Sequence, residues 1–252
     1  MKRGMFGRAA ILAAAMALGL SGCSSPRPRE AREAESANGW KRPPMIASVR
    51  RAQASLIFTG TAEPGARVVL RNDEGVAYAA VADPDGKFEI RMAAPQGALL
   101  LRPEIQMGQD AAPSPDRLLI VAGGAGPIAV LRAGGPTRRL DAAPMLGAVD
   151  SDDRSLLASG QVRTTGGRIE IAVAGESMPV ETDGEGRWSL MLGSAGPGEA
   201  IRVAGREFVW PGPGSPGPDL QVERAGAGWR VGWVGSAGAR QWTWLPDAAP
   251  AA

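Results

Sequence analysis

The chain contains no histidine among its 252 residues. This absence excludes Ser-His-Asp triads, Cys-His pairs, zinc sites with histidine ligands and acid–base catalysis by imidazole. Lysine is also scarce, and no Gly-x-Ser-x-Gly motif occurs, so a serine nucleophile would lack an evident base. The sequence therefore predicts a protein that is not an enzyme and that needs no cofactor.

Cysteine occurs once, at Cys23, so no disulfide bond can form within the chain. The apolar run at residues 9–20 has 12 members, whereas a membrane-spanning helix needs about 20. Three bases and no acid precede this run, and small residues follow it. This order is typical of a secretory signal peptide, which we predict over residues 1–22.

The run ends in Leu20-Ser21-Gly22-Cys23, which resembles the lipobox of bacterial lipoproteins. The resemblance implies cleavage before Cys23 and its modification by acyl chains such as palmitate. Several acyl chains hold a protein stably on a membrane. Ser24 stands where the family carries Asp for retention in the inner membrane, so the resemblance favours the outer membrane, facing the periplasm. The alternative is an ordinary signal peptide followed by an incidental cysteine.

The basic excess of the chain lies in this leader. Without its three bases, 25 of the 28 basic residues remain against 26 acids, a net charge of about −1. A chain so balanced gives no reason to expect binding to nucleic acid. Residues 23–45 follow as a polar, charged segment bounded by prolines, which predicts a flexible tether because it has little to bury.

Beyond residue 45, apolar and polar residues alternate in short runs separated by Gly, Pro, Asn or Asp. Phe88, Ile90 and Met92, for example, alternate with charged residues. Period-two alternation with turn residues at short intervals predicts an all-β fold of the sandwich or barrel type. No later window keeps a helical period.

The sequence repeats itself at a distance of about 100 residues. DPDGKFEI at residues 83–90 returns as DGEGRWSL at residues 183–190. In each copy the acid and the glycine are expected to form a turn between two strands, and Phe88 and Trp188 are expected to fill the cores. We predict two tandem domains, residues 46–142 and 143–247, and a disordered tail over residues 248–252.

The first copy resembles the bacterial immunoglobulin-like domains of envelope proteins. Their Gly-x-Ala-x-Pro-Gly-Ala and Asp-x-x-Gly-x-Phe/Trp patterns are matched by Gly60, Ala62, Pro64, Gly65, Ala66, Asp83, Gly86 and Phe88. Carboxypeptidase-regulatory-like domains share much of this pattern and are the alternative. The second copy keeps Gly160, Asp183, Gly186 and Trp188 but lacks the Pro-Gly-Ala turn. The resemblance implies two tandem immunoglobulin-like β-sandwiches without catalytic residues.

Two further patterns raise the question of a ligand. Residues 124–129 match the dinucleotide fingerprint G-x-G-x-x-A, but the run after it is too short for the required helix, so we interpret it as a glycine-rich turn before a strand. Acids cluster in residues 83–85, 150–153 and 181–185, where oxygen ligands for calcium between the domains are an alternative to solvated turns. The turn interpretation is favoured, and no metal is expected.

The C-terminal segment is rich in tryptophan, with Trp229 and Trp233 on one face of a predicted strand and Trp242 and Trp244 on one face of the next. These rings either pack in a core or form an exposed platform for a sugar or a partner. We therefore expect a non-enzymatic envelope lipoprotein that acts as a structural or protein-interaction module. The alternative is a module that binds a glycan such as peptidoglycan through these tryptophans.

Overall fold

The protein folds into antiparallel β-strands, as the alternating sequence predicts. The computed structural model describes residues 42–248 except 109, 153, 194, 195 and 236. Over this part of the chain it contains twenty strands and one 3-10 turn, Ala122–Gly124, so the all-β prediction is confirmed. In the same ranges no helix is long and apolar enough to cross a bilayer. The predicted signal peptide, Cys23 and most of the tether and tail lie outside the described residues.

The first copy forms two sheets, of three and seven strands. Three strands pair in the order β1-β2-β5, and the others in the order β10-β9-β8-β6-β3-β4, with β7 also paired to β6. Their bounds are β1 Met45–Ala52, β2 Ser55–Thr61, β3 Arg67–Arg71, β4 Ala77–Val81, β5 Lys87–Ala93, β6 Leu99–Met107, β7 Asp110–Pro113, β8 Asp116–Ile120, β9 Ile128–Arg132 and β10 Arg138–Arg139. The start of β6 pairs with β8, and its later part pairs with β3 and β7.

The second copy also forms two sheets, of six and four strands. Their orders are β15-β12-β11-β20-β19-β18 and β14-β13-β16-β17. The strands are β11 Ala148–Ser151, β12 Leu156–Gln161, β13 Arg168–Val173, β14 Glu176–Glu181, β15 Arg187–Leu192, β16 Ala200–Val203, β17 Arg206–Val209, β18 Gln221–Arg224, β19 Gly228–Val234 and β20 Arg240–Pro246.

Each copy encloses its own apolar core between its two sheets, which is the arrangement of a β-sandwich. In β5 the residues Phe88, Ile90 and Met92 are buried in the first core while the residues between them are exposed. The second core includes Trp188 from one sheet and Ile171 from the other. The alternation of the sequence therefore assigns the inward faces correctly in these strands.

The repeated acid-glycine turn has the same hydrogen bonds in both copies. Asp83 accepts bonds at Oδ1 from the backbone N–H groups two and four residues later, at 2.9 and 2.8 Å. Asp183 Oδ1 accepts the equivalent pair at the same distances. Gly86 and Gly186 have φ values of 76° and 74°, a region in which side chains with a Cβ are strained. The predicted turn chemistry is confirmed in both copies.

A glycine faces the aromatic core residue in both copies. Gly60 pairs with Phe88 across β2 and β5, and Gly160 pairs with Trp188 across β12 and β15. A Cβ on Gly60 would collide with the carbonyl oxygen of Met45 and lie 2.5 Å from Phe88 Cζ, and one on Gly160 would collide with the equivalent carbonyl. The absence of a side chain therefore lets the adjoining segment approach the strand at both positions, and it lets the Phe88 ring approach at Gly60.

A third apolar cluster, which we call the shared cluster, is built from both copies. Its buried members are Leu119, Val121, Ala129 and Leu131 from the first copy and Ala148, Val231, Trp233 and Leu245 from the second. Strands β8 and β9 are thus buried on both faces, one in the first core and one in the shared cluster. Residues 41–252 form one compact unit, so the division at residues 142 and 143 separates two cores and stays a prediction as a division into domains.

Candidate interaction surface

Three of the four C-terminal tryptophans are buried. Trp233, Trp242 and Trp244 are 1%, 2% and 1% exposed, and only Trp229 of the four is partly exposed. Trp233 belongs to the shared cluster, and Trp244 lies in the second core, 6.2 Å edge-on from Trp210. A stacking platform needs exposed ring faces, so the platform of four rings expected as the alternative is not formed.

The described residues instead offer a groove beside the last strand of the four-stranded sheet. This cavity, the edge groove, has a volume of about 590 Å³. Its apolar wall includes Phe208, Val209, Trp210 and Trp244. Val209 is 51% exposed, whereas Trp210 is fully buried. The groove therefore combines a buried aromatic floor with an accessible aliphatic side chain on an end strand.

Trp210 is a residue that the sequence analysis does not single out. Its indole Nε1 is buried and has no hydrogen-bond partner among the described residues. A buried donor without a partner is costly, which makes it an unusual feature of a native interior. The signal in the sequence is the segment after it, residues 211–218, in which four prolines alternate with Gly and Ser and end the strand.

A second groove, the junction groove, lies where the copies meet and has a volume of about 480 Å³. The turn Ala122–Gly124 and Trp229 both line it. Arg224 lies 4.9 Å from the centre of the Trp229 ring and donates to Asp247 at 2.9 Å. This hydrogen bond lowers the pKa of Asp247. Arg224 therefore covers one face of the Trp229 ring.

The dinucleotide fingerprint is absent from the fold, as the sequence analysis predicts. The turn Ala122–Gly124 leads into strand β9, Ile128–Arg132, where the fingerprint requires a helix.

Arg139, which lines the junction groove, donates to Asp141 and to the carbonyl oxygens of Gly147 and Pro246. Its side chain is only 5% exposed, so this guanidinium ties the two copies together.

Asp150 forms a partly buried hydrogen-bond network between the copies. Its Oδ1 accepts bonds from the hydroxyls of Thr137 and Thr243, both at 2.7 Å, and its Oδ2 accepts from the Thr137 N–H at 2.9 Å. Trp233 Nε1 donates to the Thr243 hydroxyl at 3.1 Å. Burial raises the pKa of Asp150 to about 6, although the three hydrogen bonds act in the opposite direction.

The acid clusters serve their own turns and neighbouring arginines. Asp152 accepts hydrogen bonds from the backbone N–H groups of Ser155 and Arg154, which lower its pKa. Glu181 pairs with Arg168. Within the described ranges no three acids converge on a position for a metal ion. Asp150 and Asp152, which the calcium alternative places together, point into different hydrogen-bond networks.

Comparison with known proteins gives no family assignment. No family model matches the chain, and no curated protein matches it. A solved structure of a Ca²⁺-stabilized adhesin that helps an Antarctic bacterium reach out and bind ice is 11% identical, with a TM-score of 0.21. The match covers 81% of this chain and 49% of that one, so the chain spans about half the length of the adhesin structure. A TM-score this low is no evidence of a shared fold.

Proposed function

We propose that the chain is a non-enzymatic lipoprotein of the bacterial cell envelope that acts as a protein-interaction module. The observation that supports interaction is the edge groove, an apolar cavity beside an end strand whose Val209 is half exposed. A single exposed apolar side chain is common on soluble proteins, but one that adjoins an apolar groove forms a larger surface that fits a protein partner.

The proposed place of action comes from the first 24 residues. Leu20-Ser21-Gly22-Cys23 resembles a lipobox, and the 21 residues from Ser24 to Pro44 are polar and rich in proline. A flexible coil of this length spans on the order of 25 Å, which separates a folded body from a lipid surface without fixing its orientation. In this proposal Cys23 carries the acyl chains, the membrane is the outer membrane, and the folded part faces the periplasm.

The anchor is tested by Cys23→Ala, with Ser25→Ala as the matched control. We expect the control to be cleaved, labelled by radioactive palmitate and recovered with membranes. Cys23→Ala is expected to lose the label and to keep its leader, because lipid attachment precedes cleavage in lipoproteins. A Cys23→Ala chain with unchanged size and membrane recovery would contradict the anchor.

The interaction is tested by chemical crosslinking in intact cells, followed by purification of the chain under denaturing conditions. We expect a discrete adduct with another envelope protein that forms with the anchored chain. Recovery of the chain only in its free form, at several crosslinker lengths, would contradict a role in protein interaction.

A further inference from the structure

Strand β17, Arg206–Val209, ends the four-stranded sheet of the second copy. Trp210 N–H donates to Glu199 O at 2.9 Å, and Gly198 N–H donates to Trp210 O at 2.7 Å, so the backbone of Trp210 points towards the neighbouring strand. Backbone groups alternate in direction along an antiparallel strand. The N–H and C=O groups of Glu207 and Val209 therefore point outward, away from the sheet.

In the first copy, the strand in the equivalent position is paired on both sides with other strands of the chain. There β8 pairs with β6 on one side and with β9 on the other, so a single sheet continues from β6 to β9. Among the described residues of the second copy, β17 pairs only with β16 and β18 pairs only with β19. Residues 211–218, with their four prolines, separate β17 from β18 and stop the strand from continuing. The second copy therefore lacks a strand that pairs with the outer edge of β17.

The edge groove runs along this unpaired edge. Its lining brings together the β17 side chains, the turn between β18 and β19, and Trp244 near the end of β20. Val209 is 51% exposed here, and the buried indole N–H of Trp210 lacks a partner among the described residues. The groove thus places apolar surface directly beside outward backbone donors and acceptors.

We propose that β17 accepts an extended segment of a partner protein as an additional strand, with its apolar side chains in the edge groove. Donors and acceptors that recur at every second residue, about 6.8 Å apart, match the backbone of another polypeptide and not a sugar or a lipid. The partner segment is expected to alternate apolar residues, which enter the edge groove, with polar residues that face solvent. This inference rests on the proposed role in protein interaction and names the site and the binding mode.

The site is tested with a photocrosslinking amino acid, p-benzoylphenylalanine, placed at Val209 of the full-length chain in intact cells. The matched control carries it at Val81, which is 64% exposed on β4, the end strand of the first copy's sheet. We expect an adduct from position 209 and none from position 81. Mass spectrometry of the adduct should map one segment of one partner protein, and that segment is then synthesised as the peptide probe.

Strand addition is tested with this peptide on Val209→Pro and Val209→Ala. Proline removes an N–H that bonds nothing within the sheet, so the fold tolerates it at this edge, while alanine trims the side chain and keeps the N–H. We expect Val209→Pro to weaken peptide binding about tenfold or more and Val209→Ala to weaken it less. In the unsubstituted chain the peptide should slow hydrogen exchange of the Glu207 and Val209 amides.

Three outcomes would overturn the inference. The first is that positions 209 and 81 give equal amounts of adduct, and the second is that position 209 gives an adduct with a second copy of the chain. The third is that Val209→Pro and Val209→Ala weaken peptide binding equally. A probe at Met191, 60% exposed on β15, separates this failure from that of the proposed function. If position 191 retrieves an envelope protein and position 209 does not, the interaction role stands and the β17 site is wrong. If neither does, the β17 site is wrong, and the interaction role is decided by the chemical crosslinking of the whole chain described above.

Discussion

The substitution Asp150→Asn removes the titratable group of the hydrogen-bond network that Asp150 forms with Thr137 and Thr243 between the two copies. Burial raises the pKa of Asp150 to about 6, whereas an Asp side chain in an unfolded chain has a pKa of about 3.9. The folded state therefore holds this proton more tightly than the unfolded state. The free energy of unfolding should fall as pH rises from about 4 to about 6 and stay level above that. About two pKa units correspond to about 3 kcal/mol.

Asn has almost the same shape as Asp and does not titrate, so its carbonyl can accept from the Thr137 N–H while its amide faces the two hydroxyls. We expect the stability of Asp150→Asn relative to the wild type to be greater at pH 7.5 than at pH 4 by about 2 kcal/mol, because the Asp side chain of the unfolded chain is already about half ionised at pH 4. Urea unfolding of the chain from Ser24 onward, followed by tryptophan fluorescence at constant ionic strength, measures this difference.

The control is Asp152→Asn, two residues further along the same segment. The pKa of Asp152 is lowered by the backbone N–H groups of Ser155 and Arg154, so the wild type gains stability from it as pH rises. Asp152→Asn should therefore shift the pH dependence in the opposite direction. If Asp150→Asn and the wild type change in parallel from pH 4 to pH 7.5, the reasoning from burial is refuted.

Two substitutions test the packing of the sandwiches. Gly60→Ala should lower the free energy of unfolding by about 2 kcal/mol or more, because its Cβ meets the backbone and the Phe88 ring. Gly97→Ala, where nothing lies within 4 Å, should change stability little, and equal effects in urea unfolding would contradict this account. Trp210→Ala should cost about 3–5 kcal/mol because the fully buried ring leaves a cavity. Trp229→Ala should cost less than half as much by the same assay, since its ring is partly exposed; a larger loss at Trp229 would refute the assignment of Trp210 to the core.

The elements that the sequence predicts well are those governed by local chemistry. Asp83 and Gly86 form the expected turn because a short side-chain acceptor and a positive φ are requirements of the turn itself. Phe88 points inward because neighbouring residues of a strand face opposite sides of the sheet, and its charged neighbours face water. The two faces of the C-terminal hairpin were separable for the same reason, with Trp233 and Trp244 on opposite sides of the six-stranded sheet.

The sequence does not show which other strands pack against each face of the C-terminal hairpin. Alternation places Trp233 and Trp244 on faces, but the decision between core and exposed platform depends on whether another layer covers them. The layer that covers Trp233 comes from β8 and β9, about 100 residues earlier, whereas Trp244 is covered by the core of the second copy. The continuous apolar run from Leu118 to Val121 is a sign of burial on both faces, and it marks β8 as the layer between the copies.

The edge groove and the Asp150 network depend on still longer-range relations. Proline spacing at residues 211–218 predicts that a strand ends, but the loss of the ladder between β17 and β18 appears only when the two copies are compared in space. Asp150 lies in an acid cluster that reads as a solvated turn, and its distant partner Thr243 is 93 residues away. No local pattern encodes that pairing.

The shared cluster also constrains how the duplicated halves can diverge. Leu119 and Trp233 come from different copies, yet a change in the volume of either is felt by both sheets that meet there. Substitutions on this layer must be matched across the repeat boundary, while the outer strands of each half are free to drift. The shared cluster therefore favours inheritance of the two copies together. New surface residues are expected to arise mainly on the strands that lie farthest from this cluster.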